Sequence, residues 1–326
     1  MYREKKISLV IPCRNEERLI RPTLEEVPDY FDIVFAVDDG SDDGTARVIG
    51  ELAEKDPRIC LIRHPSNLGV GQSIIDGYRR SLEEGVDIAV VIGGDHQMPI
   101  EESPRLLDAV IDDGVDYAKG NRFMGDGSAF KIMPKTRFIG NTLLSLMTKV
   151  ASGHYGVFDV VDGFTAISRQ AMQRVDWDKA WKGYGYPMDF IIRIHSHGFQ
   201  IADVPRTAIY TEGERQSQIK GFRYMLRVTP MIFRAFWHRL VTRYIYADFH
   251  PLVLMYMLGL ILLPMGGFLG VWLVLDKIFL AGTAVTGSRS VMCALLLVSG
   301  LQLFTMAMAM DLQVYQDSLR RNKDER

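Results

Sequence analysis

The chain has 326 residues, a formal net charge of −2, 48% hydrophobic residues and three cysteines, Cys13, Cys60 and Cys293. A balance this close to neutral carries no electrostatic footprint for nucleic acid, and irregularly spaced cysteines without a CxxC pair argue against a disulfide framework or a zinc site. Met1 to Lys6 contains no apolar signal core, so the first domain is expected to stay where it is made, with reduced thiols.

Ile7 to Pro12 is an apolar run of strand length, and Glu16 to Val27 reads as a helix. Ile33 to Val37 is a second strand that stops at Asp38-Asp39-Gly40-Ser41, and a helix follows from Thr45 to Lys55. Arg58 to Arg63 is a third strand, and Val70 to Leu82 is a helix with Gly85 past its end as a stop signal. Gly69 and Gly71 lack the third glycine of a dinucleotide fingerprint and follow the third strand, so they mark the start of that helix. Ile88 to Ile92 is a fourth strand ending at Gly93-Gly94-Asp95, Glu102 to Ile111 a helix and Val115 to Lys119 a fifth strand. Apolar strands alternating with helices predict an α/β domain with a mostly parallel sheet covered on both faces. Ligands of such sheets bind at the carboxyl ends of the strands. Here those ends carry Asn15-Glu16, Asp38-Asp39, Asp95 with Gln97, and Asn121-Arg122.

The last third is far more apolar. From Ser217 to Tyr246, Lys220, Arg223, Arg227, Arg234 and His238 fall on one helical face, and Phe222, Met225, Leu226, Ile232, Phe233, Phe236, Trp237 and Leu240 fall roughly opposite. That is the pattern of helices lying in a membrane interface, with Pro230 expected to split the segment in two and Arg239 and Arg243 to snorkel. Leu252 to Leu275 and Val291 to Met310 contain no charged residue. At about 1.5 Å per residue the first extends roughly 36 Å, enough to cross a bilayer, and the second is also of spanning length. The expected organisation is a catalytic domain over residues 1–215, interface helices over 216–248, two transmembrane helices with a short external loop over 249–311, and a tail over 312–326. Lys and Arg crowd both outer flanks, whereas the intervening loop offers only Lys277 and Arg289, so both termini are expected in the cytoplasm.

The motifs lie along the first domain in a fixed order. Pro12-Cys13-Arg14-Asn15-Glu16, Val37-Asp38-Asp39-Gly40-Ser41-Asp42-Asp43-Gly44-Thr45 and Asn67-Leu68-Gly69 come first, followed by Gly94-Asp95-His96-Gln97-Met98-Pro99 and Lys119-Gly120-Asn121-Arg122-Phe123. Together they resemble family 2 glycosyltransferases of the GT-A fold. With the apolar C-terminal runs, the resemblance is to polyprenyl-phosphate glycosyltransferases of the dolichol-phosphate mannose synthase type. It implies a nucleotide-sugar donor, a polyprenyl phosphate acceptor and a lipid bilayer as partner. UDP is favoured over GDP through the Lys119 to Phe123 segment. A homo-oligomer stays open.

The chemistry supplies reasons for these residues. Carboxylates at a strand end, Asp38 and Asp39, can accept hydrogen bonds from a base imide or ribose hydroxyls; the alternative is a solvated turn, with Asp43 as a helix cap. The donor-binding set is Pro12, Asn15, Glu16, Asp38, Asp39, Gly69, Gly94 and Asp95, with contacts of Glu16 and Asp39 implied by the resemblance. A diphosphate leaving group calls for a hard divalent cation, Mg or Mn, shared with few carboxylates. Asp95 is the candidate ligand with Gln97 behind it, and Gly93 stands where the family pattern has a first Asp. The resemblance places Arg122 near the donor diphosphate, and Arg137 with Asn141 near the acceptor phosphate, Asn141 standing where Ser is common. It also implies a segment around Arg215, Ser217 and Lys220 that closes over the donor. An acceptor phosphate is already anionic and needs no strong base. Were the acceptor a sugar hydroxyl, Asp162 or, by preference, Asp189 would supply the base. His96 and His154 read as lining the site. A transferase acting on a glycolipid or polysaccharide, and a non-catalytic nucleotide-binding scaffold, are the competing readings.

Overall fold

The computed structural model describes residues 1–124, 133, 135–207, 221–245, 249–279 and 287–324. The chain divides into two compact units, Met1–Trp237 and His238–Arg326.

The first unit is built on one sheet. Its strands are β1 (Ile7–Cys13), β2 (Ile33–Asp38), β3 (Ile59–Arg63), β4 (Ile88–Val91), β5 (Tyr117–Asn121), β6 (Thr165–Ser168) and β7 (Ile201–Pro205), in the order β3-β2-β1-β4-β6-β5-β7. All pair in parallel except β6, which runs antiparallel to β4 and β5. In the left half of the sheet, from β3 to β4, strands β1, β2 and β4 are buried because helices cover them on both sides, whereas the edge strand β3 is partly exposed. Ile7, Leu9, Ile11, Val34, Ala36 and Val90 join one apolar cluster with residues of α1 (Ile20–Glu25), α2 (Thr45–Ala53) and α4 (Ser103–Ile111). Val10 meets the opposite layer, formed by α3 (Val70–Glu83). The parallel register sets Cys13 level with Asp38, and Asp38 level with Arg63. The polar strand ends therefore share one edge. The inversion at β6 leaves β5 parallel to β4, so Asn121 and Arg122 reach that edge as well.

The expected parallel α/β core is present, and its boundaries differ for local reasons. The first helix is only six residues long, because Asn15 adopts φ of 56° and Glu16 to Leu19 form a turn before it. The fifth strand is displaced to Tyr117–Asn121, since the buried Lys119 ammonium finds partners inside the fold: it donates to the Phe158 carbonyl at 2.7 Å and pairs with Asp203 at 3.1 Å. Strands β6 (Thr165-Ala166-Ile167-Ser168) and β7 (Ile201-Ala202-Asp203-Val204-Pro205) are interrupted by polar residues or proline and do not stand out as apolar runs. Further helices are α5 (Lys135–Ser152), α6 (Arg169–Arg174) and α7 (Tyr186–Ser196).

The amphipathic segment forms a single helix, α8 (Gly221–Tyr244), with Pro230 inside it rather than at a break. Proline removes one backbone donor there, and the Thr229 hydroxyl bonds the Met225 carbonyl one turn back at 2.8 Å. The two apolar runs are α9 (Leu252–Phe279) and α10 (Gly287–Asp324), so helix continues through residues 312–324. Only 17% and 11% of their apolar stretches are buried, which fits lipid-facing helices and not the core of a soluble protein. They pack closely on each other: a Cβ on Gly259 would lie 3.1 Å from the Gly300 carbonyl oxygen. Arg239 does not snorkel. It is fully buried and forked onto Asp311, at 3.0 and 2.8 Å, while Tyr244 and Tyr256 donate to the same carboxylate at 2.9 and 3.3 Å.

Candidate active site

A cleft of about 610 Å³ opens at the carboxyl ends of β2 and β3, lined by Arg14, Ser41, Asp42, Arg63, His64 and Asn67 among others. Its walls are braced by the predicted donor-binding residues. Asn15 accepts the Asp42 N–H on its side-chain oxygen at 2.9 Å and donates its own N–H to the Ser41 hydroxyl. The Glu16 N–H donates to the Thr45 hydroxyl, and the Pro12 carbonyl accepts the Gly94 N–H, tying β1 to the end of β4. Asp38 is fully buried; one oxygen accepts the Ser41 N–H at 3.2 Å and the other lies 3.6 Å from the Arg63 Nε.

Asp39 is one layer below the cleft. One oxygen accepts the Leu68 N–H at 2.7 Å and faces His64 Nδ1 at 2.9 Å, and the other accepts the Gly69 N–H at 2.9 Å. A carboxylate offers about four lone-pair sites; three are engaged, two of them in holding the 67–69 turn. Gly69 is required there: its φ is 100°, and a Cβ would lie 2.4 Å from the Lys182 carbonyl oxygen.

Asp95 follows β4 on the same edge, is half-buried, and differs from the buried acids in its partners. Asp39, Asp159, Asp162, Asp189 and Asp203 each face a cationic or imidazole partner. No cation lies within ion-pair distance of Asp95 among the described residues. Its Oδ1 accepts the Gln97 N–H at 3.4 Å, and its own backbone N–H also bonds the carboxylate. Burial pushes its carboxyl above the ordinary range, against those hydrogen bonds and the charge of Arg206. A half-buried carboxylate with so little compensation fits a hard divalent cation, and Asp95 with Gln97 would hold it. A Cβ on Gly93 would stand 2.8 Å from Asp95 Oδ1, so a side chain there would make the Asp95 carboxylate shift. His96 turns away and meets Glu26 at 2.8 Å on an exposed surface. His154 is buried against His195, with its ring pushed down to about 4 by that burial, so it lines no cleft.

On the far side of β4, Arg122 is 9% exposed and forked onto Asp159, with Nε and Nη2 at 2.8 and 2.7 Å. Asn141, from α5, donates to the same carboxylate at 2.9 Å. Arg137 stands one turn earlier on α5 and is half-buried. Asp162 accepts the Phe164 N–H and pairs with Arg206 at 2.7 Å.

Residues 8–176 match the profile of glycosyl transferase family 2, more than half of the chain. The chain belongs to that family. A UDP-N-acetylglucosamine–dolichyl-phosphate N-acetylglucosaminyltransferase of Methanococcus voltae is 30% identical over 68% of this chain and 92% of its own length. A polyprenol monophosphomannose synthase of Mycolicibacterium smegmatis is 32% identical over 56% of this chain and 67% of its own. Among solved structures, a mannosyl-3-phosphoglycerate synthase from Rubrobacter xylanophilus superposes with a TM-score of 0.53 at 17% identity, covering 76% of this chain and 77% of that one. A glucosyl-3-phosphoglycerate synthase from Mycobacterium tuberculosis does so with 0.51 at 17%, covering 72% and 80%. These structures fix the GT-A fold.

In this family 2 glycosyltransferase, Asp189, anticipated as the base for a hydroxyl acceptor, is engaged by structural partners. It is 1% exposed, and one oxygen accepts both the Trp181 N–H at 2.8 Å and Arg193 Nε at 2.6 Å. It holds the 181–183 loop, whose Lys182 carbonyl accepts the Gly71 N–H at 2.7 Å. Asp189→Asn is expected to lower thermal stability while leaving the shape of the pH–rate profile unmoved; loss of the acidic limb, where rate rises with pH, would restore Asp189 as the base. The sequence reading missed Asp159 and Asp203, whose partners lie far along the chain. Arg215, Ser217 and Lys220 fall outside the described residues.

Proposed function

We propose that the chain transfers a sugar from a nucleotide-diphospho-sugar to a polyprenyl phosphate at the membrane, with inversion at the anomeric carbon. The observation that carries this reading is Asp95, a carboxylate without an ion pair among the described residues, on the same sheet edge as a nucleotide-sized cleft. Relatives named for transfer to dolichyl phosphate and polyprenol support the acceptor, and the name of the Methanococcus relative supports a UDP-sugar over a GDP-sugar. The donor is read as a hexosyl or N-acetylhexosaminyl nucleotide. The catalytic domain and both chain ends are assigned to the cytoplasmic side through the Lys and Arg flanks.

A bound Mg or Mn would neutralise charge on the leaving diphosphate, and the neighbouring fold with Mn²⁺ and UDP-glucose supports a divalent ion. The residues of the chain do the rest. The cleft between β1, β2 and β3 orients the nucleoside, and Asp39 keeps its 67–69 wall in place. Arg122 is assigned to the donor diphosphate, and Arg137 and Asn141 to the lipid phosphate. A lipid phosphate oxygen attacks the anomeric carbon, the bond to the diphosphate oxygen breaks, and the nucleoside diphosphate leaves with that electron pair. No proton need be removed from the nucleophile, so positioning and charge stabilisation dominate.

The test uses the purified full-length chain with UDP- and GDP-sugars, undecaprenyl phosphate and Mg²⁺ or Mn²⁺. The expected product is a lipid phosphosugar of inverted configuration, formed only with a divalent ion. Transfer solely to a non-phosphorylated acceptor would overturn the acceptor assignment, and a retained configuration would overturn the direct displacement.

A further inference from the structure

One carboxylate joins the two groups assigned to opposite sides of the reaction. Asp159 Oδ2 accepts the Arg122 backbone N–H at 3.1 Å and its Nε at 2.8 Å. Asp159 Oδ1 accepts Arg122 Nη2 at 2.7 Å and Asn141 Nδ2 at 2.9 Å. These four bonds fill the acceptor capacity of a carboxylate. The acid is fully buried, so it has no role as a solvent-facing charge.

Asp159 is itself held rigidly. It adopts φ of 47°, a left-handed conformation that aspartate tolerates better than most side chains. Its carbonyl accepts the Lys119 ammonium at 3.2 Å and the Asp162 N–H at 2.9 Å. The preceding Phe158 N–H donates to Asp203 at 2.7 Å. The end of β5, helix α5 and the 158–162 turn therefore meet at this residue. Burial alone would raise its carboxyl, but the hydrogen bonds and charge of Arg122 hold it well below the ordinary carboxylate range. It stays ionised at any pH where the protein would be assayed.

We propose that Asp159 is a positioning residue that fixes Arg122 and Asn141 in one geometry, and so registers the donor diphosphate against the acceptor phosphate. The fork sets the plane of the Arg122 guanidinium, and the Asn141 bond sets the rotation of the acceptor-side amide. Two phosphate groups then meet a pair of ligands whose separation is fixed before either binds. This deepens the reading under Proposed function and rests on it. Asp159→Asn presents a donor where a guanidinium or an amide already donates, so the fork and the amide bond cannot both survive.

The test compares the wild-type full-length chain with Asp159→Asn, Arg122→Ala and Asn141→Ala. Calorimetry with UDP and Mn²⁺ reads the donor side, and the KM for undecaprenyl phosphate reads the acceptor side. Arg122→Ala is expected to weaken the donor side alone and Asn141→Ala the acceptor side alone. Asp159→Asn is expected to weaken both at least tenfold in the fraction that melts cooperatively. A purely structural role would lower the active fraction and leave both constants unchanged, which overturns the proposal. Unchanged acceptor KM in Asn141→Ala overturns the acceptor half by itself. If the wild type binds UDP but transfers nothing to undecaprenyl phosphate, the acceptor reading fails, and the donor arm still scores Asp159.

Discussion

Asp95→Asn is expected to reduce transfer by about three orders of magnitude, the scale of losing one preorganised electrostatic element of a transition state, while the ligand-free protein becomes more stable near neutral pH. The two effects have one cause. Burial raises the Asp95 carboxyl because its charge is poorly compensated. An acid whose folded value is raised leaves its stability contribution intact below the unfolded value, and that contribution is lost as pH climbs through the folded value. Ionised Asp95 therefore destabilises the empty site at pH 7, and the neutral amide relieves it. The thermal midpoint of Asp95→Asn should exceed that of the wild type at pH 7, and the gap should close as pH falls below the ordinary carboxylate value. Added Mn²⁺ with UDP should raise the wild-type midpoint and leave the variant unmoved. A variant that keeps its turnover removes Asp95 from the reaction. One that loses turnover with a lower midpoint at neutral pH would place Asp95 in an ordinary structural role.

The left half of the sheet is legible in the sequence because its strands are apolar runs, three of them covered on both faces, and their ends are marked by polar residues. Asp39 and Asp95 stand out for the same reason: a carboxylate that interrupts an apolar run at a strand end has few structural excuses. The right half is less legible, and the reason is ionic. Lys119 sits inside a strand because Asp203 and three carbonyls receive it, and Asn121 bonds Asp203 across 82 residues. Arg122 finds Asp159 across 37 residues. Pairs of this kind have no periodicity, so no local pattern announces them. Arg122 is visible as a cation near a strand end, but the acid that orients it is not. The same limit applies to Asp189, a candidate base from its place in the sequence, which Arg193, one helical turn away, holds in the fold.

The helical wheel of α8 also fails at a single residue, and that residue carries the second large effect. Arg239 lies off the basic face, which suggests a side chain reaching for headgroups, yet it is buried and meets Asp311 across 72 residues. Asp311 is the first charge after the uncharged run of α10, and two tyrosines also donate to it. An acid at such a depth is tolerated only with partners. Removing one member of a buried ion pair costs about 3–5 kcal/mol, because the other charge is left without compensation. Arg239→Met and Asp311→Leu are each expected to lower stability on that scale, read as the thermal midpoint of the detergent-solubilised chain. The double variant should lose less than the sum of the two, since no charge is then stranded. It should still fall short of the wild type, because the Tyr244 and Tyr256 hydroxyls lose their acceptor at about 1–3 kcal/mol each. Asp317→Ala, at an exposed position on the same helix, should stay within about 0.5 kcal/mol of the wild type. Additive single losses would mean that the pair is not coupled, and that helix packing rather than charge fixes the end of α8 to the two apolar helices.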